Sequence, residues 1–215
     1  MTPPSSAPAV AHQRRKAERP QELLDAALAL FVERGFAATR TEEVAQRAGV
    51  SKGTLYLYYP SKEDLLKAVI RHFLSSQISA GAELAKAHGG SASELLRDVL
   101  MPWWLQVVNS PASGVFKLVI TEVRNFPEIA DFYRREVVEP GQQVIRQIVQ
   151  RGIESGEFQP LDANSAVFSI LFPMVMLCLH RHSLGACLPD QPQLDPAHFV
   201  HAHFDLLLQG MLARP

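Results

Sequence analysis

The segment Thr41 to Tyr59, TEEVAQRAGVSKGTLYLYY, constrains the fold of this chain more than any other stretch. Wound as two short helices about a turn at Gly49, it places Val44, Ala45, Ala48, Val50, Leu55 and Tyr59 inward. Ala45 is small where the helices cross, and Gly49 supplies the backbone freedom of a tight turn. Ser51 is a suitable cap for the second helix, which Tyr58-Tyr59-Pro60 ends because proline disfavours a helical residue before it. Lys52, Gly53, Thr54, Tyr56 and Tyr58 remain outside. Donors, hydroxyls and aromatic rims of this kind read base edges and grip phosphates in a major groove wide enough for one helix. The helix start at Ser51 to Gly53 also turns backbone N–H groups toward any nearby phosphate.

The flanking pattern is helical too. Leu24, Ala27, Leu28 and Phe31 fall at i, i+3, i+4 and i+7, which predicts a first helix from about Pro20 to Arg34, stopped by Gly35. Thr39 or Thr41 is expected to cap the next helix, with Glu42 and Glu43 at its positive end. Ser61-Lys62-Glu63-Asp64 opens a long helix carrying Leu65, Leu66, Val69, Ile70, Phe73 and Leu74 on its apolar positions. Beyond it, Gly89-Gly90, Ser110-Pro111, Pro127 and Phe158-Gln159-Pro160 separate stretches of helical length, and no alternating strand pattern with a hairpin turn occurs. The fold class is therefore all-α, with kinks or breaks expected at Pro102, Pro140 and Pro173.

The residues Gly49-Val50-Ser51-Lys52-Gly53-Thr54-Leu55-Tyr56, followed by Tyr58-Tyr59 and Ser61-Lys62-Glu63-Asp64-Leu65, resemble the DNA-binding signature of the tetracycline-repressor (TetR) family of bacterial regulators. The match spans about Pro20 to Ile70. It implies that Thr41, Ser51 and Lys62 touch phosphates, that Lys52, Gly53, Thr54, Tyr56 and Tyr58 approach the groove, and that Tyr59 is a core aromatic. Leu57 stands where a second tyrosine is frequent and Tyr58 where a histidine is frequent, so the resemblance leaves the operator sequence open. The implied architecture is an N-terminal three-helix bundle with the helix-turn-helix, joined by a long helix to a helical domain that encloses a ligand pocket and dimerises through its last two long helices. The expected divisions are residues 1–19 as a tail and basic arm, 20–60 as the DNA-binding domain, and 61–215 as the effector and dimerisation domain.

In the C-terminal part, Trp103 and Trp104 on one stretch and Phe172, Met174 and Met176 on another are side chains that line adaptable apolar cavities. Phe116 to Glu128, FKLVITEVRNFPE, is similar to a stretch of multidrug-responsive members of the family. A pocket for a small apolar effector is expected among Trp103, Trp104, Val107, Phe116, Ile120, Phe172 and Met176. The dimer seam is expected where Asn164 to Leu184 packs with Ala197 to Leu212, since Phe199, His203, Leu206 and Leu207 recur there at helical spacing. Two symmetry-related recognition helices then read double-stranded DNA as an inverted repeat with half-sites about 34–36 Å apart. The expected function is a repressor released from such an operator by its effector; the alternative is a DNA-bound regulator whose C-terminal domain binds a partner protein.

Other chemistry has little support. His180, His182, His198, His201 and His203 include i, i+3 spacing, yet no acidic partner completes a metal site. Cys178 with His180 or His182 lacks an oriented third member for nucleophilic catalysis. Neither a metal, a cofactor nor an enzyme activity is expected. Met1 to Ala11, rich in Pro, Ser and Ala, reads as a disordered tail without the apolar core of a signal peptide, and Arg14-Arg15-Lys16 as a basic arm able to meet a minor groove. The longest uncharged stretch, Ala163 to His180, holds Asn164, Pro173 and two serines, so a membrane span is not expected. With Cys178 and Cys187 as its only cysteines, the chain fits a reducing, cytoplasmic setting, on the nucleoid when DNA-bound.

The formal net charge of -1 argues at first against nucleic acid. It is an average over unlike parts: residues 1–75 carry 11 Lys and Arg against 8 Asp and Glu, the remainder 10 against 14. A basic third is balanced by an acidic remainder, which orients a chain on DNA while limiting non-specific attraction.

Overall fold

The computed structural model describes residues 7–187 and 194–213, and for residues 7–18 the backbone path alone. The described residues form helices joined by short turns, with one isolated bridge between Phe158 and Leu212 in place of any strand. Close contacts divide the chain into two units, Met1–Val69 and Ile70–Pro215.

The first unit is built on α1 (Ala7–Arg34), α2 (Thr41–Arg47), α3 (Lys52–Tyr58) and α4 (Lys62–Ile70). The first helix begins well before the expected Pro20 and runs through that proline. Ala7 to Ala11, expected to be disordered, are helical; Met1 to Ser6 lie outside the described residues. Alanines and long straight side chains upstream favour the helix, and Pro20 lacks only one N–H, so the run continues across it. Gly35, at φ 87, ends α1 with its N–H donating to Phe31 O at 2.9 Å. Leu24, Ala27, Leu28 and Phe31 are buried as their spacing predicts, and Phe36 packs edge-on against Phe31 at 5.2 Å.

Thr39 and Thr41 do not cap α2. Thr39 is buried, its hydroxyl donating back to Gly35 O at 2.8 Å, and Arg40 is the cap, its N–H donating to Glu43 Oε2 at 3.0 Å. The α1 end has orphan carbonyls that a short hydroxyl on the following turn satisfies, which takes Thr39 away from α2.

The second unit contains the wide, π-type turn Arg71–Ser75, α5 (Ser76–Ala87), α6 (Ala92–Glu94), a wide turn at Leu95–Leu100, α7 (Met101–Asn109), α8 (Ser113–Glu122), α9 (Pro127–Tyr133), a wide turn at Arg134–Val138, α10 (Glu139–Glu154), α11 (Ala163–Arg181), α12 (Leu184–Cys187) and α13 (Pro196–Met211). Two of the wide turns immediately precede the helices that Pro102 and Pro140 open. Each proline removes an i to i−4 bond, and the looser turn takes up the interruption without a break. Pro173 sits inside α11, which continues past it.

The core of this unit includes Leu95, Trp104, Val107, Val115, Ile148, Val167, Ile170, Met174, Val200 and Phe204, all buried. Helix α10 packs on α11, which also meets α8 and α13, while α13 lies on α7. Among the described residues one run, Ala163–Cys187, is long and apolar enough to cross a membrane by length and composition alone. Ala166, Val167, Ile170, Met174, Leu177 and Cys178 of that run are buried in the protein core. At the C-terminal end Gln159 N donates to Met211 O at 2.9 Å and Ala213 N to Glu157 O at 2.9 Å. The Phe158 ring lies over Gly152 so closely that a Cβ there would clash with it.

Candidate functional site

Two places carry polar or open geometry beyond what folding needs: the outer face of α2 and α3, and a cavity in the second unit.

At the first, Gly49 adopts φ +67, the left-handed conformation that a side chain resists, and the turn closes with Gly49 N on Gln46 O at 3.1 Å and Val50 N on Ala45 O at 2.9 Å. Val44, Ala45 and Leu55 are buried beneath it. Ser51 Oγ accepts from Thr54 N at 3.1 Å and lies 2.9 Å from Thr54 Oγ1, so α3 starts on a satisfied cap. Ser51, Lys52, Gly53, Tyr56 and Leu57 are exposed, and Thr54 and Tyr58 half-buried. Nothing in the fold requires the glycine at 53, since a Cβ there would meet only Ser51 Oγ, at 3.8 Å. A bare backbone on the first exposed turn suits close approach by a partner.

Lys52 is ion-paired with Glu42 and lies 5.7 Å from the centre of the Tyr56 ring. The hydrogen bond from Lys52 holds the Glu42 carboxyl below the usual range and raises the lysine in turn. Leu57, at 79% exposure, is a large apolar side chain on the same helix. Sequence reasoning passed over Leu57 and Glu42. The first reads as a family substitution and the second as helix-end charge; only folding shows that Leu57 is exposed and that Glu42 pairs with Lys52.

Two of the residues expected to touch phosphates have partners inside the fold. Thr41 is buried, its hydroxyl 2.9 Å from Tyr56 Oη, so it acts on Tyr56. Lys62 Nζ donates to Phe36 O at 2.9 Å, Ala37 O at 3.1 Å and Thr39 O at 3.1 Å, and lies 4.5 Å from the Phe36 ring centre. Its ammonium is directed at three carbonyls of the α1–α2 turn. Tyr59 donates to Pro20 O at 3.4 Å, and burial pushes its phenol up.

The cavity lies wholly within the second unit and has a volume of about 230 Å³. Trp103, Trp104, Phe116, Ile120 and Phe172 of the expected pocket set line it; Val107 and Met176 do not. Val107 is fully buried in the core, and Met176 points out at 62% exposure. The phase of α7 and α11 decides both, and for α7 spacing alone does not set that phase because a wide turn precedes it. The remaining wall comes from α5, α9, α10, further residues of α11 and the wide turns at Leu95–Leu100 and Arg134–Val138, including Gly81, Tyr133, Gln142 and Ile145, none singled out from sequence. Burial pushes the Tyr133 phenol far up, so it stays a neutral hydroxyl.

The histidines and cysteines have structural settings. His182 Nε2 lies 2.8 Å from Ser113 Oγ, and His203 Nε2 donates to Ser169 O at 3.2 Å while stacking on Phe199. Burial pushes the Cys178 thiol up to about 12, and Cys187 is exposed. Among the described residues no group of three or more His, Cys, Asp or Glu is placed to hold a metal ion.

A glycine-hinged helix pair with a capped, donor-bearing second helix, in the same chain as a helical unit with an apolar cavity, defines a helix-turn-helix DNA-binding transcriptional regulator. A family model described as bacterial regulatory proteins, tetR family, matches residues 23–69, and one for a tetracyclin repressor-like C-terminal domain matches residues 86–186. The chain belongs to the tetR family of bacterial regulatory proteins.

It is 27% identical to the uncharacterized HTH-type transcriptional regulator YfiR of Bacillus subtilis, over 75% of this chain and 78% of that protein. To the HTH-type transcriptional repressor KstR2 of Rhodococcus jostii it is 28% identical, over 67% and 70% respectively. A regulator from Saccharomonospora viridis, solved in complex with choline, superposes with a TM-score of 0.74 at 21% identity, over 92% of this chain and all of that one, and shows the shared fold.

Proposed function

We propose that the protein is a dimeric, sequence-specific repressor that leaves an inverted-repeat operator when a small apolar molecule enters the cavity of its second unit. The observation that carries this is a helical run. It opens at Lys62, whose ammonium grips the α1–α2 turn, and its later part, α5, supplies Ile78, Gly81 and Ala85 to the cavity wall. A ligand that moves α5 acts on the same run that is fastened to the helix-turn-helix. Coupling of about 1–3 kcal/mol between the two sites changes affinity roughly 5- to 150-fold, and the ligand exerts it by preferring the DNA-incompetent arrangement.

Ser51, Lys52, Gly53, Thr54, Tyr56 and Tyr58 are the DNA-facing set in this reading, with Thr41 and Lys62 as positioning residues. For the dimer, α11 carries Phe168, Phe172 and Met176 at i, i+4 and i+8, all exposed, and α13 adds Leu206 at 69% exposure. A two-fold pair of such faces buries them isologously. Relatives include a repressor and a regulator solved with a small molecule, in keeping with both halves of the reading. The setting proposed is the bacterial cytoplasm.

The test is selection of DNA from a random pool by the full chain, followed by sizing of the complex. Enrichment of an inverted repeat bound by two chains is the expected result. Enrichment of no sequence, or of a single half-site bound by one chain, overturns it.

A further inference from the structure

The cavity wall has a chemistry of its own. None of the described residues along it is Lys, Arg, His, Asp or Glu, so it offers no counter-charge to an ionic ligand, and burying an unpaired charge there is prohibitive. The indole nitrogens of Trp103 and Trp104 are inaccessible, which leaves ring surface as the contribution of both residues. Two wall side chains with other hydrogen-bonding groups remain, Tyr133 and Gln142. Both are half-buried, and neither is hydrogen-bonded to a described residue.

The two differ in place. Tyr133 ends α9 close to Cys178 of α11, and burial pushes both the phenol and the thiol up, so the phenol oxygen lies deep among apolar groups. It is nonetheless not one of the described orphan atoms that are sealed from contact. An oxygen that is deep, still reachable and carried by a wall residue opens onto the cavity, and an unpaired hydroxyl in such a place marks where a partner belongs. Gln142 stands at one edge of the α10 stripe that Gly141, Ile145 and Ile148 give to the wall. Size narrows the choice of guest. The volume of about 230 Å³ exceeds the roughly 150 Å³ of an engineered apolar cavity that holds benzene, and falls below the roughly 300–1,000 Å³ of sites for drug-sized molecules.

Resting on the reading of this cavity as the effector site, we infer that Tyr133 Oη is its recognition group, and that the effector is an uncharged, compact, largely hydrocarbon molecule whose neutral oxygen accepts a hydrogen bond from that hydroxyl. A neutral phenol has one proton to give, and a carbonyl or hydroxyl oxygen can take it. A carboxylate finds no cation on these walls. A quaternary ammonium finds ring faces but no anion.

The experiment uses the full chain and four probes of matched bulk or stated charge: cyclooctane, cyclooctanone, cyclooctanecarboxylate and choline. Trp103 and Trp104 are the only tryptophans, so intrinsic fluorescence reports binding directly, with calorimetry as the second measurement. Cyclooctanone is expected to bind about five- to tenfold more tightly than cyclooctane, the advantage of a well-placed hydrogen bond. Carboxylate and choline are expected to bind more weakly than either. Tyr133→Phe removes the oxygen alone, and because that oxygen has no partner in the described chain the variant should melt no lower than the parent. In it the advantage of ketone over hydrocarbon is lost while hydrocarbon affinity changes little. In Gln142→Leu the advantage persists. The wild-type comparison of ketone with hydrocarbon stands even if one variant fails to fold. Equal affinity of ketone and hydrocarbon overturns the inference, as does an advantage that survives Tyr133→Phe, tightest binding by the carboxylate or by choline, or binding of none of the four. DNA selection by the same preparation reports separately on the regulatory reading, so loss of one result is distinguishable from loss of the other.

Discussion

Lys52, on the first turn of α3, is ion-paired with Glu42 of α2 in the free protein. In the proposed reading the α3 cation that meets DNA is held by a carboxylate on the neighbouring helix, so that binding exchanges one anion for another. Glu42→Gln should tighten binding to the selected DNA several-fold at low salt, with the gain fading as salt screens the charges. Lys52→Ala should weaken binding and flatten the salt dependence by about one unit of slope. Anisotropy titrations at several salt concentrations measure both. An unchanged affinity in Glu42→Gln would show that the pair is not in competition with DNA.

Gly53 separates folding from recognition. Its position has room for a methyl group, with 3.8 Å to the nearest atom, and its φ is not in the left-handed region. Gly53→Ala should leave stability unchanged or raise it by up to about 0.5–1 kcal/mol, the helical preference of alanine over glycine. DNA affinity should fall, because the added methyl stands where the backbone is bare. Thermal melts and binding titrations on the same sample decide this, and equal binding would remove Gly53 from the interface.

Lys62 should behave as a structural residue. Three charge-assisted hydrogen bonds join it to the α1–α2 turn. Lys62→Met keeps the aliphatic stem over Phe36 but strands three carbonyls, two of them in part-buried contacts, and should cost about 1–2 kcal/mol of stability. Denaturant unfolding measures it. A variant as stable as the parent but with a flatter salt slope for DNA would return the ammonium to a phosphate.

The comparison of sequence with structure turns on where a residue's partner lies. Ser51, Gly49, the end of α3 at Tyr59 and the apolar face of α1 were legible because each depends on neighbours within four residues or on its own φ. The partners of Thr39, Thr41 and Lys62 were not legible, because they lie 9 to 26 residues away across turns whose path local pattern does not specify. The indoles and Phe172 were found by their size and clustering, and Phe116 and Ile120 lie in the stretch that resembles multidrug-responsive members, whereas Tyr133 and Gln142 carried no such signal.

Stability should depend on acid through the half-buried histidines. Burial lowers the pKa of both His182 and His203 from 6.5. In each the unfolded chain binds a proton more readily than the folded one, so stability rises with pH across the window between the folded value and 6.5. The contribution is fully present above 6.5 and is lost as pH falls through the folded value. Denaturation midpoints between pH 7.5 and pH 5 should fall accordingly, and His182→Gln should make that fall shallower. A midpoint independent of pH over this range would exclude the effect.

The wide turns before Pro102 and Pro140 have a consequence for the cavity's chemistry. Each admits a residue more than the α-turn it replaces, so the helix that follows is rotated by about 100° relative to an uninterrupted one. Trp103 and Trp104 follow one such turn, and Gly141, Gln142 and Ile145 the other. Which side chains meet a guest is therefore a matter of counting along the backbone. Removing a single residue from 95–98 would turn the indoles off the wall while leaving every one of its side chains unmutated.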